Sequence, residues 1–336
     1  MNFRVLLESL KWLPASDVLQ AGAVARFWHS AAESEEVWSS LLFDRSEGLL
    51  EPATLNLFPT SKALFQALHT YHHIAVVCKS IYAQFNIQTK STEYIELATP
   101  TTITRASYLL FLPDTSLFAC GGDINSLSYY DSGLTSAYRI LPIQWTVCAL
   151  PAMACRRRYP GAYYYKGNVY VFGGSDGTLY LASAELFAVA RKEWRNLPDA
   201  QVGRNSFTPV RFGLEIYLVG GSKTNTIEAF HMEKRVYRSV PVQLPGRVDC
   251  TSVVSGSILH AFTMQQALTI DLVTEKIGGS RRIPSNGYVW SNGQPLIYKN
   301  QVWFYYWHVE AIVSYDFGAK FVQHKSFEFS ALDRNS

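Results

Sequence analysis

The sequence predicts an all-β propeller of six blades preceded by a small all-α bundle. Three observations predict it. Apolar residues in the first 44 positions fall at helical spacing; from residue 72 onward the pattern changes to short β-runs punctuated by glycine and proline; and within that second part, runs ending in glycine pairs recur at a near-constant interval. A chain of 336 residues is long enough for a small domain joined to a propeller.

In the helical part, Phe3, Leu6, Leu7 and Leu10 recur at spacings of three and four and share one helix face. Pro14 breaks the run, Ser16 suits an N-cap, and Gly22 ends or bends the next helix. Val24, Phe27, Trp28 and Ala31 mark a third helix, and Val37, Trp38, Leu41 and Leu42 a short fourth. Such short helices bury no core individually, so they must pack on one another or on a partner. Residues 45–59, with Gly48, Pro52 and Pro59, read as linker, and Ser61 to Tyr71 as one further helix.

The order Leu10, Leu13-Pro14, Asp17-Val18-Leu19, Val24, Arg26, Trp28, Ala32, Trp38 and Leu41 resembles the F-box motif over about residues 1–44. It departs from the motif in lacking the usual Leu-Pro pair ahead of the first helix. The resemblance implies docking on a Skp-type adaptor, and through it a cullin, with Leu13, Pro14, Val18, Leu19, Val24, Trp28 and Trp38 as adaptor-binding residues.

From residue 72 the repeat is the strongest signal. Phe118-Ala-Cys-Gly121-Gly122, Val171-Phe-Gly173-Gly174 and Leu218-Val-Gly220-Gly221 each close an apolar run. Each is followed by an aromatic (Tyr130, Phe187, Phe230), a second aromatic (Tyr138, Trp194, Tyr237) and a proline (Pro142, Pro198, Pro241). Aligning weaker repeats by hydrophobic run puts Cys78, Phe262 and Tyr306 at the first glycine, so the six anchors lie 43, 52, 47, 42 and 44 residues apart. Blades of four strands require such a period. Glycine serves where strand ends need positive φ or close backbone approach; the three blades without it are expected to be irregular.

The phrase from Arg158 to Gly174 resembles the kelch repeat, and the resemblance extends over residues 72–336. In the first blade, His73–Cys78, Ile81–Ile87 and Tyr94–Leu97 read as strands and a fourth is lacking. By resemblance to kelch propellers, Phe327 to Ala331 supplies it and closes the ring, removing the open sheet edges.

Composition narrows the function. A 48% hydrophobic and 14% aromatic content argues for an ordered core, and a net charge of +3 with 17% charged residues argues against a dedicated nucleic-acid binder. Five cysteines without C-x-x-C, and no N-x-S/T sequon, suggest neither a disulfide framework nor a zinc site and fit a reducing cytoplasmic or nuclear compartment. Glu8 and Lys11 interrupt the apolar N-terminal stretch, and no run approaches a membrane span.

Chemistry is expected to be absent. Gly173-Gly-Ser175-Asp-Gly177 matches the nucleophile-elbow pattern, but a strand rather than a helix is expected after it. Gly221-Ser-Lys-Thr224 reads as a turn, not a phosphate loop. The eight histidines show no metal-ligand spacing, which argues against the copper oxidases of the propeller superfamily. Trp303, Tyr305, Tyr306 and Trp307 are read as packing between blades rather than a stacking platform. Neither cofactor nor metal is expected.

One repeat-related charge stands out. Arg105, Arg157 and Arg204 each precede an anchor by 16 residues, and Arg247 precedes Phe262 by 15. Equivalent blade positions would set them in an arc around one mouth of the channel, where kelch receptors often contact their targets. Two readings follow. With Arg158, these arginines bind an acidic or phosphorylated segment of a target protein, or they hydrogen-bond carbonyls of neighbouring blades. The two resemblances together imply a non-catalytic substrate-recognition subunit of a cullin-RING ubiquitin ligase. The alternatives are an interaction scaffold without ubiquitin transfer and a propeller metal oxidase.

Overall fold

The computed structural model describes residues 34–46, 60–64, 73–78, 81–97, 103–104, 106–123, 133–141, 145–246, 249–263, 266–282, 293–299, 301–306, 311–316 and 321–326. The chain divides into two compact units: Met1–His72 with Phe111–Ser116 and Leu141–Gln144, and the remainder from His73.

In the first unit, α1 (Glu35–Ser46) buries Val37, Trp38, Leu41 and Leu42, the apolar stripe its sequence predicts. Lys62 Nζ lies 5.8 Å above the Trp38 ring. A helical turn at 61–64 starts from Thr60, whose Oγ1 accepts the Ala63 N–H, while the Glu35 carboxylate accepts the Ser61 N–H at 2.8 Å. Leu13, Pro14, Val18, Leu19, Val24 and Trp28 lie outside the described residues.

The second unit is six antiparallel sheets in sequence order. Blade 1 holds β1 (His73–Cys78), β2 (Ile81–Asn86) and β3 (Thr92–Glu96). Blade 2 holds β4 (Ser107–Phe111), β5 (Leu117–Gly121), β6 (Ala137–Ile140) and β7 (Val147–Leu150). Blade 3 holds β8 (Gly161–Tyr165), β9 (Asn168–Phe172), β10 (Ala184–Ala188) and β11 (Glu193–Leu197). Blade 4 holds β12 (Val210–Phe212), β13 (Glu215–Val219), β14 (Thr226–His231) and β15 (Val236–Gln243). Blade 5 holds β16 (Thr251–Ser255), β17 (Ile258–Phe262), β18 (Gln266–Asp271) and β19 (Lys276–Arg282). Blade 6 holds β20 (Leu296–Tyr298), β21 (Gln301–Tyr306), β22 (Ala311–Asp316) and β23 (Phe321–Ser326). The fold is a six-bladed β-propeller.

All six predicted anchors stand at or just past the end of the expected strand, from Cys78 at the end of β1 to Tyr306 at the end of β21. First strands of successive blades are inner neighbours: Phe207 bridges Cys250 in parallel just ahead of β12 and β16. Backbone bonds continue this inner ring, from Tyr159 N–H to Ala106 O, Ser206 N–H to Tyr159 O, and Cys250 N–H to Ser206 O.

Middle strands are covered on both faces, which accounts for their near-continuous apolar runs. Val169, Tyr170, Val171 and Phe172 of β9 are all buried, whereas the outer β19 is exposed throughout. Aromatic pairs fill most seams. Phe118 meets Phe187 at 5.7 Å between blades 2 and 3, Phe172 meets Phe230 at 5.6 Å between blades 3 and 4, and Phe262 meets Phe304 at 5.7 Å between blades 5 and 6. Blades 4 and 5 share an aliphatic cluster including Val219, Leu259 and Ile270, and Tyr82 meets Trp145 at 4.5 Å between blades 1 and 2. Trp303 and Tyr305 pack with Ile74, Val76 and Phe85 of blade 1, closing the circuit, while Val302 and Phe304 face blade 5.

Two of the three blades without a glycine pair differ from expectation. Blades 5 and 6 hold four paired strands each, as regular as those with glycines. Their second and third strands are joined by short connections, since Phe262 pairs with Ala267 and Tyr306 with Ala311. Blade 1 has three described strands; the expected closing segment, Phe327 to Ala331, lies outside the described residues.

Candidate functional site

Antiparallel topology puts the loops between second and third strands, and the links from one blade to the next, at the same end of the propeller. The glycine pairs lie there, with Gly173 and Gly174 at φ 59° and 96° and Gly121 and Gly122 at 71° and 129°. A Cβ on Gly173 would stand 2.3 Å from Arg204 O, and one on Gly121 2.4 Å from Arg157 O. The second glycine of each pair uses that proximity: Gly174 N–H donates to Arg204 O at 2.8 Å and Gly122 N–H to Arg157 O at 2.9 Å. These two glycine pairs thus tie blade 2 to blade 3 and blade 3 to blade 4.

The arginine side chains turn the other way, into their own blade. Arg157 Nη1 donates to Gly173 O at 2.6 Å and Ser183 O at 2.9 Å, and its Nε and Nη2 meet Glu185 Oε1 at 3.2 and 3.0 Å. Arg204 repeats the pattern on Leu218 O, Gly220 O and Thr226 O, with Nη2 against Glu228 Oε1. Both carboxylates also hold the incoming chain. Glu185 accepts from Ala154 and Cys155 N–H, and Glu228 from Gln201 and Val202 N–H. Burial pulls the Arg204 guanidinium below its usual pKa, and Glu228 opposes that shift.

Arg157 and Arg204 are therefore equivalent, as their spacing predicts, and they brace the blade interior at 0% and 1% exposure. The carbonyls their side chains hold belong to their own blade, and the link to the neighbour runs through their backbone. Arg158 pairs with Asp123 of blade 2 at 3.0 Å and is also buried. Arg105 and Arg247 lie outside the described residues, and Trp38 is fully buried. Glu185 and Glu228 were not anticipated; the signal was available, because each is a lone acid in an apolar strand two residues before a phenylalanine.

Beside the arginine braces, a pocket of about 460 Å³ opens at this end, lined by Arg158, Tyr159, Ser175, Thr178, Tyr180 and Asn205. Tyr159 and Ser206 occupy the same position after their respective arginines, and both are left-handed, at φ 51° and 56°. Asn205, 6% exposed, keeps a buried Oδ1 with no hydrogen-bond donor among the described residues. The Asp176 carboxylate is held below its usual pKa by the Leu179 and Thr178 N–H groups, which it accepts at 2.7 Å each. β10, not a helix, follows Gly173-Gly-Ser-Asp-Gly177, and Thr224 N–H closes the Gly221 turn at 3.1 Å. Buried Cys120 and Cys250 are pushed up to about 12, so both thiols stay protonated at neutral pH. Among the described residues, no group of three His, Cys, Asp or Glu could hold a metal.

Compared with known protein families, residues 156–201 match the Kelch motif, a stretch that runs from the Arg157 brace through blade 3 to the link into blade 4. The chain carries a kelch motif within a six-bladed propeller. No curated protein matches the chain. A kelch propeller suits protein–protein interaction, because its strands hold the loops at one end in fixed positions.

Proposed function

We propose that this kelch protein is the substrate-recognition subunit of a cullin-RING ubiquitin ligase, acting in the cytoplasm or nucleus without catalysis of its own. The observation that carries the reading is the order of Leu10, Leu13-Pro14, Val18-Leu19, Val24, Trp28 and Trp38, which resembles an F-box, ahead of a kelch propeller. One part would dock on a Skp-type adaptor, and the other would hold a target for ubiquitin transfer.

On the propeller, the proposed target surface is the pocket beside the arginine braces. Tyr159 and Tyr180 offer aromatic edges, and Asn205 Oδ1 offers a desolvated acceptor that a target N–H would satisfy. Arg157, Arg158 and Arg204 present almost no surface, so at this pocket they position loops and leave contact with the target to the residues around them.

Co-purification of the full chain with a Skp-type adaptor and cullin tests the proposal. The native chain should retain both, and Leu13→Ala with Pro14→Ala should lose them while the melting temperature stays within a few degrees. Absence of adaptor from the native complex would overturn the ligase reading and leave an interaction scaffold.

A further inference from the structure

The end of the propeller opposite the glycine pairs is built from turns joining first to second and third to fourth strands. On blades 3 and 4 these turns carry Lys166, Arg191, Lys192, Lys234 and Arg235, all exposed. Their backbones are tied together. Val189 N–H donates to Gly167 O at 3.0 Å, joining the two turns of blade 3, and Met232 N–H donates to Leu214 O at 3.0 Å in blade 4. The Tyr165 ring spans the blades, with Lys166 Nζ 5.3 Å and Arg211 Cζ 5.0 Å from its centroid. None of these cations enters an ion pair among the described residues.

Three of the tips occupy a left-handed backbone region, Lys166 at φ 44°, Lys192 at 55° and Arg235 at 54°, and Glu275 holds it at the corresponding turn of blade 5 at 53°, so the conformation belongs to the repeat. At the first turns of blades 4 and 5, glycine takes that region, as Gly213 at φ 60° and Gly256 at 61°. Where blade 5 places Glu275, paired with Arg238, blades 3 and 4 place exposed cations with no ion pair among the described residues, and that concentration of positive charge points to a ligand outside the fold.

We propose that this basic end of blades 3 and 4 is a docking surface for an acidic polypeptide segment. Exposed Glu193 and Glu233 stand among the cations, so a continuous phosphate array, in nucleic acid or on a membrane, would meet repulsion at fixed points. A polypeptide can space its carboxylates around them. Exposed Leu214 and Val236, at 38% and 53%, add apolar contacts suited to a protein chain. The proposal is independent of adaptor binding and of the pocket at the other end.

The test uses the full chain and labelled poly-L-glutamate, with phosphatidylserine vesicles and duplex DNA as rival probes. Polyglutamate should bind at low salt and be released as salt rises. Lys192→Asn with Arg235→Asn should weaken it by about fivefold or more while leaving the melting temperature unchanged or higher, since asparagine suits the left-handed region. Lys166→Asn alone gives a milder readout of the same kind should the double variant fold poorly. No polyglutamate binding, binding equal in native and variant chains, or tighter binding to vesicles or DNA would each overturn the proposal.

Discussion

At Arg204, the guanidinium's fixed fork of donors is used almost to the full: three carbonyls, a threonine hydroxyl and a carboxylate surround one side chain. A lysine, with a single nitrogen, reaches fewer of these. Arg204→Ala would leave the Glu228 carboxylate buried without its counter-ion, at a cost of about 3–5 kcal/mol. Urea unfolding should read that loss, and a change below about 1 kcal/mol would show that the brace is not structural. Gly173→Ala should be comparably severe, about 2–4 kcal/mol, because a left-handed backbone and the Arg204 carbonyl at 2.3 Å both exclude a Cβ. Residue spacing alone was enough to place Arg157 and Arg204 at equivalent sites. It did not say which way the side chains turn, because an offset fixes the Cα and leaves the rotamer to partners elsewhere in the chain. Those partners, Glu185 and Glu228, were legible only as lone acids in apolar strands, and Asn205 carried no sequence signal.

Among the elements, the middle strands were the most legible, since covering on both faces demands long apolar runs, and the expected strands of blade 1 fall within a few residues of β1, β2 and β3. Connections were less so. A missing glycine pair reads as irregularity, yet between β17 and β18 it goes with a short connection, Phe262 pairing with Ala267. Outer strands carry polar contacts that hydrophobic pattern does not reveal. In blade 4, Arg238 of β15 holds Glu215 of β13 through two bonds of 2.7 Å and reaches Glu275 of blade 5 at 2.6 Å. The Arg238 hydrogen bond is the main cause that lowers Glu215 from its ordinary 4.5. A carboxylate whose folded value lies below its unfolded one adds stability above the unfolded value, and that stability is lost as pH falls through the folded one. Stability should therefore decline below about pH 4.5, and Glu215→Gln should flatten the decline; with Arg238 40% exposed, the effect stays under about 1 kcal/mol. Parallel urea titrations at neutral and acid pH measure it, and an unchanged acid slope would remove Glu215 from the account.

Across the whole molecule, the alternation of one strand decides whether the propeller is an open array or a ring. In β21, Val302 and Phe304 pack toward blade 5 while Trp303 and Tyr305 pack toward blade 1, so the period of two along a single strand fills two seams. That packing role was legible in the sequence, whereas the choice of neighbour was not, because blade 1 lies more than two hundred residues away in the chain. At the closing seam, Trp303 lies 6.4 Å from Phe85 with the rings stacked, and Lys90 Nζ sits 3.6 Å over its face. Every blade then has two neighbours, and loosening any one seam exposes apolar surface on both sides of it. An array of repeats without closure responds differently: a weakened end unit frays by itself and leaves the others intact. Trp303→Ala removes a side chain that is 2% exposed and should lower stability by about 3–5 kcal/mol. In a closed ring that loss is shared, so near-ultraviolet circular dichroism and hydrogen exchange in blade 3, across the ring from the substitution, should shift with the global unfolding transition. Early opening of blades 6 and 1 with blade 3 protection unchanged would mean that the closing seam is not coupled to the rest of the ring.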